Sequence, residues 1–290
     1  MQPFDYLTPN TLYEACSMLI EHGREARLLN GGTDLTVGLR HGHLTTDVVI
    51  DLKRIDAIKT DIRFDDDDLR ISAGTTMTQV AAFLAREGLF PALQEAAAVV
   101  GSIQIRNRAT LVGNICNASP AADTVPVLAT MNASVEISGQ SGNRVRAVAD
   151  FIKGNRVIDL AHGEIVTAVR IPQSQSLRGC AFERITRRRG VDLATANLCC
   201  TIGSDNVVVV AFGSVAPRPL LVQLNDALLV DRQATKKDRS RIIKNICAHA
   251  TPISDVRASA AYRSAMLCVM AERALGRAKM RLDEIIANAG

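Results

Sequence analysis

Along the first part of the chain, apolar residues recur at helical spacing. Leu12, Cys16, Leu19 and Ile20 lie between Thr8-Pro9 and Gly23, which predicts an amphipathic helix with proline at its first position. The apolar pair Leu28-Leu29 then runs straight into Asn30-Gly31-Gly32-Thr33-Asp34, and Val48 to Leu52 reads as a buried strand. Asp65 to Asp68 predicts a solvated turn before the alternating strand Leu69 to Ala73. A second helix is expected from Thr78 through Val80, Ala81 and Leu84 to Gly88. A third, Ala-rich stretch covers Ala92 to Val100, followed by a polar, glycine-containing turn at Thr110 to Asn114.

From Ala133 the period changes from helical to strand-like. Ser134 to Ile137, a turn at Gly139 to Gly142, Val145 to Val148, and Ile165 to Ile171 ending at Pro172 predict a mainly β segment. A boundary is expected near Gln173 to Ser176. Beyond it, Leu198 to Ile202 and Val207 to Phe212 flank a Ser204-Asp205-Asn206 turn, and Asp238 to Ala248 and Ala258 to Gly276 carry helical patterns. That order predicts a smaller α+β unit at the carboxyl end.

Composition narrows the choices. A chain of 290 residues with 47% hydrophobic and 22% charged residues is long and apolar enough for one large globular unit or two ordinary domains. No apolar run reaches the ~20 residues of a membrane span, and the amino terminus lacks the basic and apolar regions of a signal peptide, so a cytoplasmic protein with no membrane span is expected. The net charge of +4 is too small and too evenly spread to suggest a nucleic-acid surface. The 7 cysteines form no CxxC pair, so an iron–sulfur cluster would have to sit in another chain.

Two segments have the chemistry of a nucleotide cradle. In Gly31-Gly32-Thr33-Asp34, the glycines allow close backbone approach, and consecutive amides with a hydroxyl can surround an anion; the same residues also make an ordinary strand-ending turn. Thr110 to Asn114 with Ala118 to Asp123 combines hydroxyls, an amide, a glycine and a carboxylate that could bond a sugar, ribityl chain or pyrophosphate, or else satisfy their own backbone. Arg187-Arg188-Arg189 reads as solvated surface, His41 and His43 lack a third metal ligand, and Cys116 reads as a packing residue. No Ser-His-Asp set or activated thiol is evident, so no catalytic side chain and no metal site is assigned.

The residues Leu28 to Leu35, Gln104 to Asn107, Thr110 to Asp123, Ser214 to Pro219, and Arg257 to Arg263 resemble, in order, the FAD-binding medium subunits of the xanthine dehydrogenase and carbon monoxide dehydrogenase (molybdenum hydroxylase) family. The resemblance runs from Phe4 to about Ala274. It implies an α+β fold: a two-part FAD-binding domain of the p-cresol methylhydroxylase type over residues 1–173, divided near 56, then a smaller domain over 177–286 with a three-stranded sheet and helices. It also implies FAD as cofactor. The pyrophosphate would lie on Leu29, Asn30, Gly31, Gly32, Thr33 and Asp34, and the flavin would be held further by Thr110, Gly113 and Asn114. Asp123 is implied beside the sugar or ribityl portion, Val166 near the ring and Arg184 as a basic contact.

The implied role is electron transfer in a complex with a molybdopterin-containing large subunit and an iron–sulfur small subunit, with NAD or another acceptor receiving the electrons. The Ala216-Pro217 segment points toward the xanthine and N-heterocycle branch. Asn30 replaces the family's usual alanine, and Val112 replaces the first glycine of a Gly-Gly-Asn; if that glycine is needed for positive φ, the second loop must shift. A free-standing FAD oxidoreductase and a scaffold subunit that has lost flavin are the alternatives.

Overall fold

The computed structural model describes residues 2–230 and 235–289. The expected spans 1–173 and 177–286 therefore include Met1 and residues 231–234, which lie outside the described residues.

The amino-terminal part is a small parallel sheet. Strands β1 (Asp5–Leu7), β2 (Ala26–Leu29) and β3 (Val48–Asp51) are connected through helices α1 (Leu12–His22) and α2 (Leu35–Arg40), and their order is β1-β3-β2. Every residue of central β3 is buried, as its continuous apolar run demands. Helix α1 starts later than expected: its cap is Thr11, whose side chain accepts from the Glu14 amide, while Glu14 Oε2 accepts from the Asn10 amide at 2.7 Å. This reciprocal pair satisfies the free amides better than the Thr8-Pro9 start could.

The second part holds β4 (Ile62–Asp65), β5 (Asp68–Ser72), helices α3 (Met77–Glu87), α4 (Pro91–Ala98), α5 (Ile103–Arg106), α6 (Leu111–Cys116) and α7 (Thr124–Thr130), β6 (Ser134–Gly139), β7 (Gly142–Ala147), α8 (Val148–Phe151), the short pair β8 (Ile152–Gly154) and β9 (Val157–Ile158), and β10 (Ile165–Pro172). An antiparallel sheet runs β4-β5-β10-β6-β7. The Asp run is only partly a solvated turn. Asp66, at φ 53°, makes the bend, but Asp65 and Asp68 end the two strands and both face Arg170, at 2.5 and 3.3 Å. Helix α3 is set by a full capping box between Thr76 and Gln79, so it begins before Thr78.

The carboxyl-terminal part has β11 (Gly179–Ile185), β12 (Ala196–Ile202), β13 (Val207–Gly213), β14 (Leu220–Asn225), and helices α9 (Ala227–Val230), α10 (Lys236–Cys247) and α11 (Ala260–Ala289). Its antiparallel sheet, in the order β11-β12-β13-β14, has a fourth strand at the edge beyond the three expected. Helix α11 runs well past Gly276.

Both faces of this sheet are covered. Alternation along the strands sends Cys180, Phe182 and Cys199 into the core of the amino-terminal half, and Ala181, Leu198 and Cys200 into the core beneath α10 and α11. Arg277 and Arg281 of α11 both reach Glu95 of α4, the first at 2.5 Å, and clamp the two halves together. No helix among the described residues is long and apolar enough to cross a membrane.

Candidate functional site

The first glycine segment leaves the end of β2, and its shape follows from its residues. Gly32 sits at φ +77°, a left-handed backbone that lets the chain turn into α2, where the Gly32 carbonyl accepts from the Thr36 amide at 2.9 Å and the Thr36 hydroxyl at 2.7 Å. Gly31 is needed for a different reason. A Cβ there would stand 2.3 Å from the Arg108 carbonyl oxygen and 3.1 Å from Ala109 Cα, so the segment packs backbone to backbone against the approach to α6.

The amides of Gly31, Gly32, Thr33 and Asp34 have no acceptor among the described residues. Asp34 is exposed and its carboxylate does not cap α2. A turn with no internal use for four consecutive donors is suited to an anion.

Asn30 is a clamp. Its Nδ2 donates to the Ala73 carbonyl at 2.6 Å and to Thr110 Oγ1 at 3.2 Å, which ties the first segment to the second. The amide nitrogen is thus engaged by protein, a tie that alanine could not make. A cleft of about 220 Å³ opens beside this junction, lined by Asn30, Gly31, Gly74, Thr76, Arg108 and Thr110, with Lys53 and Lys59 at its edge.

The second segment is not the turn expected from its sequence. Residues 111–116 form α6, with Thr110 as its cap, and Thr110 Oγ1 accepts from the Gly113 amide at 3.0 Å. A Cβ on Gly113 would come within 2.8 Å of that hydroxyl, so this glycine protects the cap. Val112 lies inside the helix, 3% exposed and packed in the core, and is absent from the residues with positive φ. The backbone freedom of glycine is therefore not used at 112. Turn-like composition was overridden because one threonine cap and a buried Leu111-Val112-Ile115 face suffice for a short helix.

From α6 the polar contacts continue toward the carboxyl-terminal sheet. Asn114 Oδ1 accepts from the Thr124 hydroxyl at 2.7 Å, at the start of α7. Asp123, just before it, is buried and pairs with Arg184 of β11 at 2.6 Å while accepting from Asn197 Nδ2 of β12 at 3.0 Å. Burial pushes the Asp123 carboxyl up to about 6 against the opposing pull of Arg184 and Asn197. Arg184 also donates to the Val99 carbonyl at 3.0 Å and the Asp192 carbonyl at 3.2 Å. Val166 is buried in β10, one residue before Thr167, whose carbonyl accepts from the Ala73 amide at 2.8 Å; β10 thus backs the Asn30 anchor.

Leu29 to Asp34 and Thr110 are brought into direct contact, Gly113 and Asn114 follow one helical turn on, and Asp123 and Arg184 meet at the seam between the halves. Sequence reasoning missed Ala73, Arg108 and Asn197. Of these, Asn197 had a legible signal: one amide inside the apolar run of β12. Arg187 is held by Asp192 at 2.9 Å and Arg188 by the Val191 carbonyl at 2.9 Å, both within the exposed β11–β12 loop. Burial pushes the Cys116 thiol up to about 12, which leaves it no nucleophilic thiolate near neutral pH.

Comparison with known proteins identifies the family of the chain. Residues 2–174 match the family described as the FAD binding domain in molybdopterin dehydrogenase, and residues 181–278 match the CO dehydrogenase flavoprotein C-terminal domain. The chain is 31% identical over 284 residues to the carbon monoxide dehydrogenase medium chain of Afipia carboxidovorans, covering 96% of this chain and 97% of that one. It is 28% identical over 273 residues to the xanthine dehydrogenase FAD-binding subunit of Escherichia coli O157:H7, covering 92% of this chain and 93% of that one. A solved carbon monoxide dehydrogenase from Hydrogenophaga pseudoflava superposes with a TM-score of 0.87 at 28% identity, over 97% of this chain and 99% of that one. Of the two sequence relatives, the carbon monoxide protein has the higher identity, so these figures do not favour the xanthine branch.

Proposed function

This chain belongs to the family of FAD-binding subunits of molybdopterin dehydrogenases, and on that premise we propose that it is the electron-transfer subunit of a molybdenum hydroxylase complex in the cytoplasm. It takes electrons from iron–sulfur clusters of a small partner subunit, after a molybdopterin-containing large subunit has oxidised the substrate, and passes them to an acceptor such as NAD. The observation that carries this reading is the contact between the two segments at Asn30, Gly31 and Thr110, beside four neighbouring amides that have no acceptor among the described residues.

The backbone of Leu29 to Asp34 would hold the pyrophosphate, as an array of neutral donors that needs no reorganisation. Thr110, Gly113 and Asn114 shape the middle of the site, Val166 belongs near the ring, and Asp123 with Arg184 lies toward the sugar or ribityl portion. Bound FAD supplies the redox chemistry, since it can accept electrons singly and release a pair as hydride. The chain's own task is to bind, orient and set the local charge. The helical backbone at Val112 supports the flavin-binding reading over a flavin-free scaffold, since valine there needs no unusual φ.

The test begins with the visible spectrum of the purified chain and identification of any extracted nucleotide. One FAD per chain is expected. Coexpression with iron–sulfur and molybdopterin subunits should give a complex whose flavin is reduced by the complex's substrate and reoxidised by NAD. A colourless chain that cannot be reconstituted with FAD would defeat the cofactor assignment. Substrate turnover by the isolated chain would favour the free-standing oxidoreductase instead.

A further inference from the structure

Asn197 is fully buried, near the start of a strand that is otherwise almost wholly apolar. Strand parity puts it on the same face as Cys199, toward the amino-terminal half. There its Nδ2 donates to Asp123 Oδ1 at 3.0 Å and to the Ala122 carbonyl at 3.3 Å. Its own Oδ1 is buried with no hydrogen-bond partner, an unfavourable arrangement that a merely space-filling residue would avoid.

The reason the amide stays in that orientation lies on β13. Gly213 pairs with Asn197 across the ladder, and a Cβ on Gly213 would stand 2.1 Å from Asn197 Oδ1. Gly213 has no positive φ, so its backbone would accept alanine; what requires glycine is room, first for the Asn197 carbonyl and then for Pro126 Cγ, which would lie 2.9 Å from an added Cβ. The neighbouring Ser214 amide donates to the Pro120 carbonyl at 2.7 Å, which stitches the Asp123 loop to the same strand end.

We propose that Asn197, seated by Gly213, is a positioning residue that holds the Asp123 carboxylate on Arg184, and that through it the register of the carboxyl-terminal sheet sets the geometry of the flavin site. The inference rests on the reading above that Asp123 faces bound FAD. The charged partner of Asp123 is Arg184 from β11; Asp192 of the adjoining loop is turned to Arg187, and Val99, just after α4, contributes an uncharged carbonyl that accepts from Arg184. With a carboxyl that titrates at about 6, wild-type FAD retention should weaken as pH falls through that value, when the proton added to Asp123 dissolves its pair with Arg184.

The test compares wild type, Asn197→Leu and Gly213→Ala as full chains, using two readouts: the titration of Asp123 by carboxyl NMR, assigned with Asp123→Asn, and the FAD dissociation rate against pH. Loss of the Asn197 donor removes a contact that favours the ionised form, so both variants should raise the Asp123 midpoint and shift the pH profile of FAD release upward. At pH 7, release should be faster by about tenfold in Asn197→Leu and by less in Gly213→Ala. Folded variants with an unchanged Asp123 midpoint, or with unchanged FAD release, overturn the proposal. If either variant does not fold, Asn197→Ala decides by the same two readouts, because alanine removes the donor without adding bulk beside Pro126. Wild type without FAD at any pH would sink the functional reading instead, while the Asp123 titration still reports whether Asn197 positions the carboxylate.

Discussion

Residues 30–34 and 110–123 draw on nearly the same side chains, Gly, Thr, Asn and Asp, and put them to opposite uses. The first segment keeps its backbone donors open, with four amides and no internal acceptor among the described residues. The second turns its polar groups inward: Thr110 onto the Gly113 amide, Asn114 onto Thr124, and Asp123 onto Arg184 and Asn197. Composition marks both as polar and glycine-containing. Whether such groups remain available to a ligand depends on whether a helix cap or an ion pair has already engaged them.

The two segments also use glycine differently, and three substitutions bear on that difference. The largest effect is expected from Gly31→Val, which drives a branched side chain into the Arg108 carbonyl and separates the segments. It should lose FAD and about 3 kcal/mol of stability, read from extracted flavin and denaturant unfolding. Retention of both would mean that the segments do not depend on this contact.

Next comes Val112→Gly, which empties a core position inside α6. A loss of roughly 2.5 kcal/mol is expected from missing apolar burial and added backbone freedom, with FAD dissociation no slower than in wild type. Slower dissociation at unchanged stability would show that Val112 obstructs the ligand. The smallest effect belongs to Thr110→Ala, worth about 1 kcal/mol as a lost cap, with Thr110→Ser near wild type by thermal unfolding. Equal behaviour of Ala and Ser would separate the cap from the stability of the second segment.

Much of the fold was legible. The apolar run of β3, the alternation of β5, the apolar stretch of β10, and the periodicity of α1, α3 and α10 follow from period and cap chemistry alone. Helix starts were less certain because neighbouring threonines compete: Thr8 with Thr11, and Thr76 with Thr78. The winner in each case is the one whose third following residue, Glu14 or Gln79, closes back on the chain before the helix. α6 was hidden because a helix of 6 residues, under two turns, is too short to display a period. The same shortness concealed that Val112 is a core residue.

By itself, the sequence determined the residue types able to face a nucleotide and the order in which they occur, because glycine freedom, amide donors and hydroxyls are local properties of the chain. It also determined that no cysteine ladder for an iron–sulfur cluster is present. Only tertiary structure decided that Gly31 must meet the Arg108 carbonyl, that Asn30 bridges Ala73 and Thr110, and that Asp123 lies between Arg184 and Asn197. Those pairings join residues from 43 to 80 positions apart at Asn30 and 61 and 74 apart at Asp123. They exist because buried strands and helices fix the distances between segments, which no local pattern of residues can encode.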